Sequence, residues 1–177
     1  NLVSLNHQPT NGDHPCHLTL STSEDALFVA NYSGGSVSAY QVLKDGSLSA
    51  QSDFHKHQGS SVNLKRQEGP HAHMAHLTPV GRHLLVTDLG TDQLMVYQIN
   101  PQGKLTLLKD RCLTLPAGSG PRHLTFSNSN KSMYLINELG NTILIFPVGE
   151  DGLPEKEYVH KIYTLPSYFS EQSTTAD

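Results

Sequence analysis

An all-β fold is predicted by three features: an internal repeat, strand-like patterning within each repeat, and no helical period sustained over eleven residues. The repeats begin at Pro15, Ala72 and Pro121, as PCHLTLSTSEDALFVANYSGGSVSAYQVLKDGSL, AHMAHLTPVGRHLLVTDLGTDQLMVYQINPQGKL and PRHLTFSNSNKSMYLINELGNTILIFPVGEDGL. Asn31, Asp88 and Asn137 each stand nine residues before an aromatic, Tyr40, Tyr97 and Phe146. Gly46, Gly103 and Gly152 follow those aromatics by six residues each. The anchors are offset by 57 and then 49 residues, the difference lying in a longer connection around residues 51–69.

Within each unit the strands follow in order. HLTL, ALFVANY and SVSAYQV in the first become MAHL, HLLVTDL and QLMVYQI in the second, then HLTF, SMYLINE and TILIFPV in the third. They are rich in β-branched and aromatic residues and are separated by Gly, Asn, Asp and Ser turns. A more polar fourth strand is expected after each glycine, in SLSAQSDF, KLTLLKDRCLTL and LPEKEYVHKIYTL. Four strands in about 50 residues are the signature of a β-propeller blade. The absence of tryptophan argues against a Trp-Asp repeat. The blades are assigned to residues 15–69, 70–118 and 119–169. Residues 1–14 read as the outer strand of a preceding blade, and 170–177 as the start of a connection to the next. Three blades cannot close a ring, so about half of a longer propeller is expected, with the remaining blades as its partners.

Composition narrows the function. Charged residues make up 16% of the 177, well below the roughly 25% of an average soluble domain, as expected where strands stack blade on blade. A net charge of −4 argues against nucleic-acid or anionic-membrane partners. No apolar run approaches the ~20 residues of a membrane span, and NLVSLNHQPT lacks the basic-then-apolar layout of a signal peptide. Two cysteines, Cys16 and Cys112, cannot build a disulfide framework, so a soluble, reducing compartment is the default.

The repeat register locates a site. Cys16, His73 and Arg122 occupy equivalent positions, as do Tyr32, Leu89 and Glu138. The SNSNK turn centres the third repeat's first hairpin near Asn130, which sets Arg122 across from Asn137 or Glu138. His73 takes the same place one blade earlier. A candidate base, a fixed cation and a carboxylate therefore share one rim beside the central channel. An Arg–Glu pair is often only a structural salt bridge, and a wet channel attracts polar residues anyway. Three different side chains at equivalent positions favour function, since a structural role would repeat one residue.

The remaining polar residues read more plainly. His71, His73 and His76 invite a metal, but in a strand His71 and His73 share a face that His76 does not, so no metal and no cofactor are predicted. Cys16 reads as a small inner-strand residue and Cys112 as inert. His55, His57 and His83 read as solvated, and His123 as packed between blades. Asn31, Asp88 and Asn137 read as turn caps. The long connection FHKHQGSSVNLKRQEGPHAHM must end at the rim of His73, so Arg66 and Gln67 either contact an anionic substrate or fasten the loop.

GPHAHMAHLTPVGRHLLVTDLGTD, GSGPRHLTFSNSNKSMYLINELGNT and HPCHLTLSTSEDALFVANYSGGSVSAY resemble the seven-bladed propeller lactonases of the 6-phosphogluconolactonase type, in the superfamily of the carboxymuconate lactonizing enzyme. The resemblance covers nearly all of the chain. It implies a cytoplasmic, metal-independent enzyme acting on the ester bond of a small anionic sugar lactone, in the pentose phosphate route. The lactonizing enzyme's proposed catalytic set falls on His73, Arg122 and Glu138, and Arg66, Gln67 and His71 match an RQ-x-x-PHAH loop taken as substrate-binding. A further arginine of that set is expected beyond Asp177. A lactonizing cycloisomerase and a non-catalytic binding platform are the rival readings.

Overall fold

Period-two alternation in the repeats builds three antiparallel sheets in the computed structural model, which describes residues 2–176. The first blade runs β1 (Pro15–Leu20), β2 (Ala26–Asn31), β3 (Ser36–Gln41) and β4 (Asp53–Lys56). The second is β5 (Ala72–Leu77), β6 (His83–Asp88), β7 (Gln93–Ile99) and an outer strand in two pieces, β8 (Leu105–Leu107) and β9 (Leu113–Thr114). Both pieces pair with β7, on either side of a 3-10 turn at Lys109–Arg111. The third comprises β10 (Pro121–Phe126), β11 (Ser132–Asn137), β12 (Thr142–Pro147) and β13 (His160–Tyr163).

Two strand assignments need correction. The fourth strand does not directly follow the glycine in blades one and three. A single bridge forms there, Val42 with Leu48 and Val148 with Pro154, and the strand begins later, at Asp53 and His160. Gly46, Gly103 and Gly152 all adopt positive φ, 85°, 71° and 79°, as the shared turn requires, and only in blade two does a strand, β8, follow it directly. The leading segment is also not a strand at any of residues 2–14, and Asn1 lies outside the described residues. It lies against blade one through the carbonyls of Pro9 and Thr10, which accept from Tyr40 Oη at 2.8 Å and Ser38 Oγ at 2.7 Å. Pro9 has no N–H to offer a ladder.

Alternation sorts the core into two interblade layers. Leu84, Val86 and Tyr97 of blade two face Ala26, Phe28, Ala30, Val37 and Ala39 of blade one. Their neighbours Leu85, Leu94 and Val96 point the other way, onto Leu124, Met133, Leu135, Leu144 and Phe146 of blade three. Each of the larger side chains contributes roughly 1.5–3 kcal/mol by leaving water.

The repeat also fixes the rim. In every blade the pairing of the inner strand slips by one residue, between Pro15 and His17, Ala72 and Met74, Pro121 and His123. The bulged residues are Cys16, His73 and Arg122, the three equivalents found in the sequence. A bulge re-aims a side chain out of the ladder. The backbone closes each bulge identically, with Tyr32, Leu89 and Glu138 donating their N–H to the carbonyls of His14, His71 and Gly120.

Candidate active site at the rim of the inner strands

At its bulge, Arg122 reaches Glu138 at the end of β11, with Nε 3.2 Å from Oε2. The other carboxylate oxygen, Oε1, takes Arg66 Nη2 at 2.6 Å. Glu138 is 9% exposed and is thus clamped between two guanidiniums from different blades. Arg66 Nη2 also donates to Tyr32 Oη at 3.1 Å. Charge-assisted contacts of this kind fix orientation as well as charge. Residues 164–176 return over the rim, where Thr175 N donates to the Glu138 carbonyl and Arg122 Nη1 to that of Ala176. Asp177 lies outside the described residues.

His73 sits beside this pair, edge-on to Tyr32 (5.6 Å between ring centres) and to His123 (5.1 Å). Its Nδ1 is buried and has no hydrogen-bond partner among the described residues. Burial is the largest influence on this imidazole, followed by the positive charge of Arg122 and then His123. Together they lower its pKa to about 4, against a smaller upward pull from Glu138. The side chain is therefore a neutral imidazole at neutral pH. His71 stacks on Tyr32 at 4.6 Å, with Nδ1 3.2 Å from the Tyr32 carbonyl and Nε2 3.3 Å from Glu68. Its run-mate His76 turns instead to the Leu77 carbonyl, so the H-x-H-x2-H run is dispersed.

Of the six residues predicted for the site, five meet at this rim and Gln67 does not. Gln67 is fully buried, its Nε2 donating to the Leu89 carbonyl and to Asp92 Oδ1 while Oε1 accepts from Asn63 N. With its amide spent on the protein, it fastens the loop and does not face the rim. His57 is a second correction. It is buried, with Nδ1 2.6 Å from Asp88 Oδ2 and Nε2 3.0 Å from Tyr97 Oη. Asp88 Oδ1 caps the backbone N–H groups of His71, Gly90 and Thr91. Asn31 and Asn137 instead donate to hydroxyls on the next strand, Asn31 to Ser36 and Ser38 of β3, Asn137 to Thr142 of β12.

Sequence reasoning missed Asp92, the hub that pins the long connection behind the rim. Its carboxylate accepts Ser61 Oγ, Gln67 Nε2, Gly118 N and Gly120 N, all within 2.8 Å. A signal was present. Gly35, Asp92 and Asn141 are repeat equivalents, all at positive φ (52°, 55° and 49°), and the region tolerates only Gly, Asp or Asn readily. Asn141 holds the next connection likewise, through Ser173 and Thr175. Tyr32, the repeat equivalent of Glu138, also reaches this rim, its hydroxyl accepting from Arg66 Nη2.

A cleft of about 540 Å3 lined by Arg111, Asp151, Glu155 and Lys156 lies at the opposite end of the blades. The Arg111–Asp151 ion pair spans it at 2.6 Å, and no rim residue takes part.

Three stacked four-stranded sheets with their inner strands side by side define a β-propeller. The chain belongs to the family described as "Lactonase, 7-bladed beta-propeller", whose profile matches residues 1–177. It is 31% identical to the 6-phosphogluconolactonase of Bacillus subtilis over 97% of its length and 48% of the relative's. Its fold is similar to that of the periplasmic gluconolactonase PpgL of Pseudomonas aeruginosa, with TM-score 0.86, 33% identity, and 94% and 47% of the two chains covered. A crystal structure from Bacteroides fragilis gives 0.83 at 38% identity, covering 90% and 45%. The chain thus spans about half the length of the relatives it matches. Among the described residues no helix is long and apolar enough to cross a membrane.

Proposed function

We propose that the intact protein hydrolyses a sugar lactone, with 6-phosphogluconolactone as the substrate, and that this chain supplies the rim where the ester is opened. The observation that carries the proposal is the convergence of a neutral, partly buried His73 with Arg122, held by Glu138. The names of the Bacillus and Pseudomonas relatives support the substrate class.

In this reading His73 takes a proton from water as the water oxygen bonds to the lactone carbonyl carbon. Arg122 donates to the oxygen on which charge builds, and the ring C–O bond then breaks. The proton held by His73 passes to the departing ring oxygen, which leaves as a hydroxyl. Glu138 acts as a positioning residue, fixing Arg122 and Arg66 at once. Location in the cytoplasm belongs to the same proposal, with the periplasmic Pseudomonas relative as the standing alternative.

The test is His73→Ala in the intact protein, with an expected loss of lactone hydrolysis of about 10²–10⁴-fold. Activity within about threefold of wild type would sink the base assignment. So would catalysis that forms a lactone from an unsaturated dicarboxylate in place of hydrolysis. The pH profile gives a second check. The base must be unprotonated, so kcat/KM rises with pH through its pKa. Since that pKa is lowered to about 4, the acid limb falls near 4 and not near 6.5.

A further inference from the structure

Beside the Arg66–Glu138 pair, the turn of residues 63–67 faces the returning segment across a recess of about 390 Å3. Its lining is Asn63, Lys65, Arg66, Leu139, Gln172, Ser173 and Thr174. That lining carries two cations and no carboxylate of its own, with Glu138 holding Arg66 from the rim side and the exposed Glu68 close enough for its charge to act on Arg66 as well. The donors there are unspent. Both side-chain contacts of Arg66 use Nη2, which leaves Nε and Nη1 without a protein acceptor among the described residues. The Lys65 ammonium makes no ion pair there either, and Lys65 is exposed. The turn presenting them is pinned from several sides. Asn63 Oδ1 accepts Lys65 N, the Asn63 carbonyl accepts the N–H groups of Arg66 and Gln67, and the buried Gln67 amide ties it to Asp92.

We infer that this recess is the subsite for the phosphate of the substrate, with Lys65 as the residue that selects phosphorylated over unphosphorylated sugar lactones. A dianionic phosphate presents three acceptor oxygens, matching a point-charge ammonium, a planar guanidinium and a ring of amide and hydroxyl groups. Arg66 links the recess to the rim directly, because it also holds Glu138. The inference rests on the proposed lactonase activity and deepens it by naming how the anionic end is recognised.

The experiment compares wild type with Lys65→Gln in the intact protein, on 6-phosphogluconolactone and on gluconolactone. The expected result is a fall of about tenfold or more in the kcat/KM ratio of phosphorylated to unphosphorylated substrate, carried by KM. An unchanged ratio overturns the assignment. A separate titration with 6-phosphogluconate and with gluconate keeps this distinct from failure of the activity itself. If neither lactone turns over, the hydrolase reading fails. The subsite then stands only if 6-phosphogluconate binds more tightly than gluconate and Lys65→Gln removes that preference. Equal binding of the two acids overturns it, and Lys65→Arg is expected to restore most of the preference.

Discussion

Two buried carboxylates, Asp92 behind the rim and Glu138 on it, do opposite work. Asp92 is 2% exposed and surrounded by four neutral donors, two of them backbone N–H groups, so every contact is spent on holding chain to chain. Glu138 is 9% exposed and faces two guanidiniums, of which that of Arg66 keeps Nε and Nη1 without an acceptor among the described residues. The difference teaches that burial alone does not separate scaffold from site. What separates them is whether the partners are used up.

The comparison can be broken in three ways. The largest effect is expected from Asp92→Ala, which strips the acceptor from four donors and loosens the long connection from the turn before β10. A loss of about 3 kcal/mol in a urea unfolding series is expected. A loss below about 1 kcal/mol would show that water replaces the carboxylate and that Asp92 is no hub.

Glu138→Gln should behave differently, lowering kcat/KM about tenfold while the unfolding midpoint changes little, since two arginines lose a charge partner but remain near water. The carboxylate also pulls the pKa of His73 upward, so the acid limb of the pH profile should shift further down in this variant. An unmoved limb would argue that Glu138 is as purely structural as Asp92.

The smallest effect is assigned to Tyr97→Phe. It deletes the hydroxyl bonded to His57 Nε2 and leaves a buried ring nitrogen unpaired, at a cost of about 1 kcal/mol by calorimetry, with lactone turnover kept. Altered turnover would tie the Asp88–His57–Tyr97 chain to the chemistry.

Most of the scaffold was legible from residues alone. Three repeats with period-two strands specify which face of β6 meets which blade, because a strand has only two faces. The equivalence of Cys16, His73 and Arg122 was readable for the same reason, although nothing in the sequence announced the bulge that turns them outward. His57 was misread because a polar residue in a long loop looks solvated until its partner is known, and for the same reason the residues alone did not decide whether Gln67 contacts a substrate or fastens the loop. The partners of His57 lie 31 and 40 residues away, and Asp92 lies 25 residues from Gln67.

The sequence by itself determined the blade count within this chain and the placement of His73, Arg122 and Glu138 on one rim, but not the pairing expected for Arg122: Asn137 pairs with Pro121, and Arg122 is the bulged residue. The count and the placement follow from local alternation and turn chemistry, which act over a few residues. Only the tertiary structure decided that Arg66 crosses 72 residues of chain to clamp Glu138. It also decided that Lys65 stands over a recess beside that clamp. A loop's path is set by where its buried polar groups find partners, and that is a property of the folded surface as a whole.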